Sequence, residues 1–192
     1  LFLIVMLPFS MFGQKHYEEG FIVLNNQDTI YGLVKDRQPH PFARLYKKIK
    51  FKGKKRGSKY NPKQIKSYRK GQGTFESIWI NETGHFLSQN YTSVPNSGEL
   101  QFLKVIEKGY LTYYQMEFED GESDYIDTID LFKKQDNSSL IRATQGIFGL
   151  KRKSLIRFFS DCQPLVEKIQ NKEFKYPIEV AKFYNTWKSA QP

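Results

Sequence analysis

From residue 14 to residue 146 the chain alternates short apolar stretches, rich in Ile, Val, Tyr, Phe and Thr, with polar punctuation. Residues 21–24 and 29–34 flank Asn25-Asn26-Gln27-Asp28. Asn and Asp accept turn conformations that β-branched residues resist, so this segment predicts a strand-turn-strand unit. Pro39 and Pro41 then interrupt any ladder. Over residues 44–52, Leu45, Ile49 and Phe51 occupy odd positions, broken only by Lys47, while Arg44, Tyr46, Lys48, Lys50 and Lys52 occupy even ones. A period of two sends the first set to a core and the second to water. Gly53 and Gly57 bound a basic loop, Asn61-Pro62 opens a turn, and residues 65–70 read as a further strand. Residues 74–80, 86–92, 100–107, 110–119, 125–133 and 139–143 continue the pattern, punctuated at Gly84, Pro95 with Gly98, Gly109, Gly121 and Asp136-Asn137. Strands at intervals of about ten residues predict an antiparallel meander closing toward a sandwich or a partly open barrel.

After Gly149 the period changes. Leu155, Ile156, Phe158, Phe159 and Cys162, then Leu165, Val166 and Ile169, then Ile178, Ala181, Phe183, Tyr184 and Trp187 recur at helical spacing. Asp161 is placed to cap the second helix, with Pro164 in its first turn, and Pro177 opens the third, where a missing N–H costs nothing. The expected class is α+β: an antiparallel β domain over residues 14–146 and a short C-terminal helical unit over residues 150–190. No Ser/Gly-rich linker separates them, so the helices are expected to pack on the sheet.

Residues 1–13 (LFLIVMLPFSMFG) carry no charge and end in a small residue before Gln14 and the run Lys15-His16-Tyr17-Glu18-Glu19. A membrane-crossing helix needs about 20 apolar residues. This tract is shorter and contains Pro8, so it is expected to be the core and cleavage end of a secretory signal peptide whose start lies upstream of Leu1. Export removes cytosolic functions from consideration. No Cys follows the expected cut, so lipid attachment there is not expected; Cys162 stands alone, which excludes an intramolecular disulfide and leaves stability to packing. The 28 Phe and Tyr residues supply area for it.

The net charge of +10 is local. Residues 37–75 contain no acid and fourteen of the thirty Lys and Arg residues, leaving sixteen bases against twenty acids elsewhere. Residues 117–136 are the acidic extreme, with eight Asp and Glu against Lys133 and Lys134. The basic stretch is the leading candidate site. Tyr46, Lys48, Lys50 and Lys52 share one face of their strand, Lys66, Tyr68 and Lys70 one face of the next, and Lys54, Lys55 and Arg56 lie in the loop between. If the strands are neighbours, they form a basic, tyrosine-interleaved surface suited to phosphate-bearing lipid or an anionic glycan. The bland counterpart is a solvated face whose lysines guard an edge against aggregation.

Other chemistry finds less support. Nucleic acid is a poor partner, because an exported chain rarely meets it and no RRM, KH, zinc or helix-turn-helix pattern is present. Cys162 with His40 or His85 has no spacing that argues for a nucleophile and base, and a Cys beside Phe158 and Phe159 at helical spacing reads as core. The acidic stretch offers oxygen ligands for calcium but lacks EF-hand order; Glu119-Asp120-Gly121-Glu122 reads as a hairpin tip. Gly71-Gln72-Gly73 lacks the Lys-Ser/Thr and helix of a phosphate loop, and three histidines make no ligand cluster, so no metal or cofactor is expected. Trp79, Tyr91, Tyr110, Tyr113, Tyr114 and Phe118 are candidates for stacking on sugars, with core packing as the competing reading. An outer-membrane barrel fails on charged would-be lipid faces and a helical tail.

The strand-turn-strand Gly20-Phe21-Ile22-Val23-Leu24-Asn25-Asn26-Gln27-Asp28-Thr29-Ile30-Tyr31-Gly32, the segment LIRFFSDCQPLVEKI at residues 155–169 and the pair Tyr184-Asn185 together resemble a group of exported β-rich proteins common in Bacteroidota. The resemblance spans most of the chain after residue 13 and implies a Gram-negative envelope location: periplasm, outer-membrane surface or extracellular. It supplies no substrate, cofactor or catalytic residue. The resulting expectation is a non-catalytic binding or scaffolding module for anionic envelope lipid, glycan or an envelope protein. The runner-up is a secreted hydrolase whose site is not readable from motifs.

Overall fold

The computed structural model describes residues 17–35, 48–53, 57–84, 90–119, 126–145 and 149–191. The expected signal segment, residues 1–13, lies outside them. The strands are β1 (Tyr17–Leu24), β2 (Thr29–Lys35), β3 (Ile49–Lys52), β4 (Ser58–Tyr60), β5 (Ile65–Lys70), β6 (Gly73–Thr83), β7 (Asn90–Thr92), β8 (Glu99–Glu107), β9 (Leu111–Glu119), β10 (Ile126–Lys134) and β11 (Ser139–Arg142). Among the described residues three helices follow: α1 (Arg152–Phe158), α2 (Gln163–Gln170) and α3 (Pro177–Ser189). The class is the expected one, an antiparallel β body with helices at the C-terminal end.

The eleven strands form one sheet in the order β4-β3-β2-β1-β5-β6-β7-β11-β10-β9-β8. It closes on itself because β6 also pairs with β8, from Thr74↔Val105 to Ile80↔Glu99. The ring β6-β7-β11-β10-β9-β8 is thus a closed six-strand barrel, and β5 to β4 extend from it as an N-terminal sheet. β6 is long enough for three partners: β5 along Gly73–Glu76, β8 along Thr74–Ile80 and β7 along Asn81–Thr83.

Neighbouring residues of a strand point to opposite faces, and β6 and β8 use this to serve two cores. Phe75 and Phe102 join Ile22, Val34, Ile49, Phe51, Ile65 and Tyr68 in the core of the N-terminal sheet. Ile80 and Leu103, on the other face, join Tyr91, Tyr114, Met116, Leu131 and Leu140 inside the barrel. Tyr68 stacks on Phe75 with ring centroids 4.6 Å apart and meets Phe102 edge-on at 5.0 Å.

A third core joins the helices to the outside of the barrel. Leu111, Tyr113 and Phe132 of β9 and β10 bury Leu155, Phe159, Cys162, Leu165, Ile169, Val180, Ala181 and Tyr184. Pro177 begins α3, and Glu179 accepts the backbone N–H groups of Lys175 and Tyr176 at 2.8 Å each. Asn185 clamps α3 to β9: its Oδ1 accepts the Leu111 N–H at 2.7 Å and its Nδ2 donates to the Leu111 carbonyl at 2.9 Å. A side chain on Gly109 would collide with that amide, which is why the turn before β9 carries glycine.

One local expectation is corrected. Asp161 does not cap α2, whose N-cap is Cys162 and has no side-chain capping bond. Asp161 turns instead to Lys134 and Tyr184.

Candidate functional site

The structure does not assemble the expected basic surface as drawn; a basic face arises instead from other strand neighbours. β3 and β5 are not neighbours; β2 and β1 lie between them. Within β5 the alternation is out of phase with the expectation, because the β1–β5 pairing shifts from Val23↔Ser67 to Leu24↔Ile65 and leaves Lys66 as an extra residue. Such a bulge puts residues on both sides of it in the same phase, so Ile65 and Tyr68 both enter the core. Tyr68 is fully buried and is removed from the surface. Lys70 lies on the Tyr68 side and pairs with Glu18 at 3.0 Å, while Lys66 is exposed at the bulge. Lys48 is exposed just before β3, and Lys50 and Lys52 face outward as expected. Tyr46, Lys54, Lys55 and Arg56 lie outside the described residues.

The register assembles the outer face in rows across the strands. In one, Lys59, Lys50, Lys35 and Tyr17 stand directly opposite one another on β4, β3, β2 and β1. In the next come Lys52, Leu33 and Glu19, and in the third Tyr31, Phe21 and Arg69. Lys52 Nζ sits 4.2 Å from the centre of the Tyr17 ring and Lys35 Nζ 5.9 Å from it. Strands are about 4.8 Å apart, so the lysine row spans about 10 Å. Like charges directly opposite across strands are destabilising. No carboxylate lies within ion-pair distance of Lys35, Lys50 or Lys59 among the described residues.

Beside the row lies a groove of about 660 Å³ lined by Glu19, Phe21, Tyr31, Leu33, Arg69 and the Gly71-Gln72 turn, with backbone from Gly20 and Gly32. Those glycines face each other across β1 and β2. A Cβ on Gly20 would strike the Arg69 carbonyl, and one on Gly32 the Lys52 carbonyl and the Phe51 ring. Tyr31 is 75% exposed and meets Phe21 edge-on at 5.8 Å. Arg69 is tied to the turn, its Nε donating to the Gly71 carbonyl at 2.8 Å and one terminal nitrogen to Gln72 Oε1 at 3.3 Å. Lys59 and Arg69 fall in the acid-free stretch and Phe21 and Tyr31 in the strand-turn-strand segment, but composition and motif do not join them with Tyr17 and Lys35 as one face. Their common signal is the outward phase of β1, β2, β4 and β5, which becomes a site only once the strand order is known.

A second polar cluster holds the helices to the barrel. Lys134 is 9% exposed, donates to Asp161 Oδ1 at 2.6 Å and the Phe158 carbonyl at 2.8 Å, and lies over the rings of Phe158, Phe159 and Tyr184 at 4.9, 5.4 and 5.1 Å. Tyr184 donates to Asp161 Oδ2 at 2.7 Å. Burial works to raise the Asp161 carboxyl, but the hydrogen bonds from Lys134 and Tyr184 outweigh it and hold the group below its ordinary value. The Tyr184 phenol is pushed well above the ordinary range by burial and then by Asp161. Every polar atom here has a partner within the cluster, the arrangement of a latch.

Cys162 is fully buried, and burial pushes its thiol up, away from the thiolate a nucleophile needs. Both His40 and His85 lie outside the described residues. Among the described residues no three His, Cys, Asp or Glu side chains gather as a metal site. In the acidic stretch Asp130 instead accepts from Tyr113 at 2.5 Å and Thr144 at 3.0 Å. Of the aromatics weighed for sugar stacking, Tyr91, Tyr113 and Tyr114 are core and Tyr110 is exposed. No helix among the described residues is long and apolar enough to cross a membrane. Comparison with protein-family models, with curated proteins and with solved structures gives no match.

Proposed function

We propose that the protein is an exported component of a Gram-negative cell envelope that binds rather than catalyses, docking through the outer face of β1 to β5 onto an anionic envelope partner. The observation that carries this reading is the Lys59, Lys50, Lys35 row: three like charges set opposite one another, with no acid within ion-pair distance of them among the described residues. An anionic surface attracts such a row by about 1 kcal/mol per engaged base. Four or five engaged bases support docking that salt screens. The expected cut before Gln14 would deliver the chain to such a surface.

The test is retention of the full chain on immobilised heparin and on phosphatidylglycerol vesicles, beside a Lys35/Lys50/Lys59→Glu variant of equal melting temperature. Retention at low salt that the variant loses is expected; equal elution of the two proteins refutes the reading. Material recovered from a Gram-negative envelope should begin at Gln14, as N-terminal sequencing would read directly.

A further inference from the structure

The groove beside the lysine row brings together chemistry that a generic anionic surface does not require. Tyr31 offers a ring that is three-quarters exposed and meets Phe21 edge-on at 5.8 Å. A flat aromatic face of this kind packs against the C–H face of a sugar ring, burying apolar area without closing a pocket. Across from it, Arg69 is immobilised by its bonds to Gly71 and Gln72, which leaves its other terminal nitrogen without a partner among the described residues. A guanidinium so ordered loses little freedom on taking a carboxylate. Glu19 lines the same groove. It accepts hydroxyl groups and repels a doubly charged phosphate placed beside Arg69. One cation, one acceptor carboxylate, an amide and an exposed ring match a ring that carries a single carboxylate and several hydroxyls.

We propose that this groove binds a uronic-acid unit of an acidic polysaccharide. Arg69 takes the carboxylate, Tyr31 stacks on the sugar ring, and Glu19 and Gln72 meet its hydroxyls. The polymer continues past Lys52, opposite the groove residue Leu33, onto Lys35, Lys50 and Lys59. This inference rests on the proposed anionic-surface function and narrows it to one ligand class and one place.

Calorimetric titration of the full chain with a galacturonate hexasaccharide and a glucuronate-containing hyaluronan hexasaccharide tests it, with the methyl-esterified galacturonate as a neutral control. Binding of at least one acid form is expected, about tenfold or more weaker for the ester, and about tenfold or more weaker in Tyr31→Ala and in Arg69→Gln. Tyr31→Ala keeps every charge, so its loss separates stacking in the groove from general attraction to lysines. No binding to either acid oligosaccharide, or binding that both variants leave unchanged, overturns the groove assignment. If phosphatidylglycerol vesicles or heparin still retain the chain in that case, the broader basic-face reading stands without it. If they do not, both fall.

Discussion

Lys134 shows what one side chain contributes when it joins two units of the fold. Its ammonium is nearly buried, and its charge is met by Asp161, by the Phe158 carbonyl and by three aromatic rings. Replacing Asp161 by Asn leaves that ammonium short of its counter-charge. A fully buried pair broken in this way costs about 3–5 kcal/mol; Asp161 is 43% exposed, so water recovers part of it and a loss of about 1–2 kcal/mol is expected. The pH dependence follows from the direction of the Asp161 shift. Its carboxyl sits lower in the folded than in the unfolded chain, so its stabilisation is complete above the unfolded value of about 4 and disappears as pH falls through the folded one. Urea midpoints of wild type and Asp161→Asn should therefore differ at about pH 7, and the gap should narrow as pH falls below the unfolded value of about 4. A constant gap across that range would show that Asp161 acts by packing and not by charge.

At the scale of elements, Asn185 and the two glycines decide how strands and helices approach. Asn185→Ala strips the Leu111 N–H and carbonyl of their partners at the start of β9, and two unsatisfied groups at a part-buried position cost about 1–3 kcal/mol in urea denaturation. Gly32→Ala, by contrast, should fail by collision with the Lys52 carbonyl and the Phe51 ring, lowering soluble yield rather than shifting a midpoint by a small amount. Much at this scale was legible in the chain. Asn25 to Asp28 as a turn, Pro177 as the start of α3 and the bounds of β5 are local, written in residues that sit next to one another. What escaped depends on distance in sequence. The Lys66 bulge exists because of the partner strand β1, and it reverses the phase that a count of two along residues 65–70 assigns, carrying Tyr68 into the core. Asp161 has the composition of a helix cap, and it was drawn off by a lysine 27 residues earlier in the chain. Barrel closure needs β6 to meet β8, which no local pattern encodes.

At the scale of the whole molecule, the outer face of β1 to β4 gathers Lys35, Lys50, Lys52 and Lys59 among the described residues, and this sets stability against binding there. Like charges directly opposite across paired strands destabilise, and the Lys59, Lys50, Lys35 row contains two such contacts. A Lys35/Lys50/Lys59→Gln variant relieves both while keeping a polar side chain with the first two methylenes of each stem. For a chain of this length about 1 kcal/mol moves the melting temperature by about 2–4 °C, so the variant should melt at the wild-type temperature or a few degrees above it. The gain should shrink in about 1 M salt, where the screening length falls to about 3 Å. The same variant should lose retention on heparin at low salt. The two readouts moving in opposite directions would mean that the row is maintained against the interest of the fold, as a ligand requires. A variant that melts lower would assign the lysines to holding β2, β3 and β4 together through their stems, and the basic face would then be a solvated edge and no binding surface.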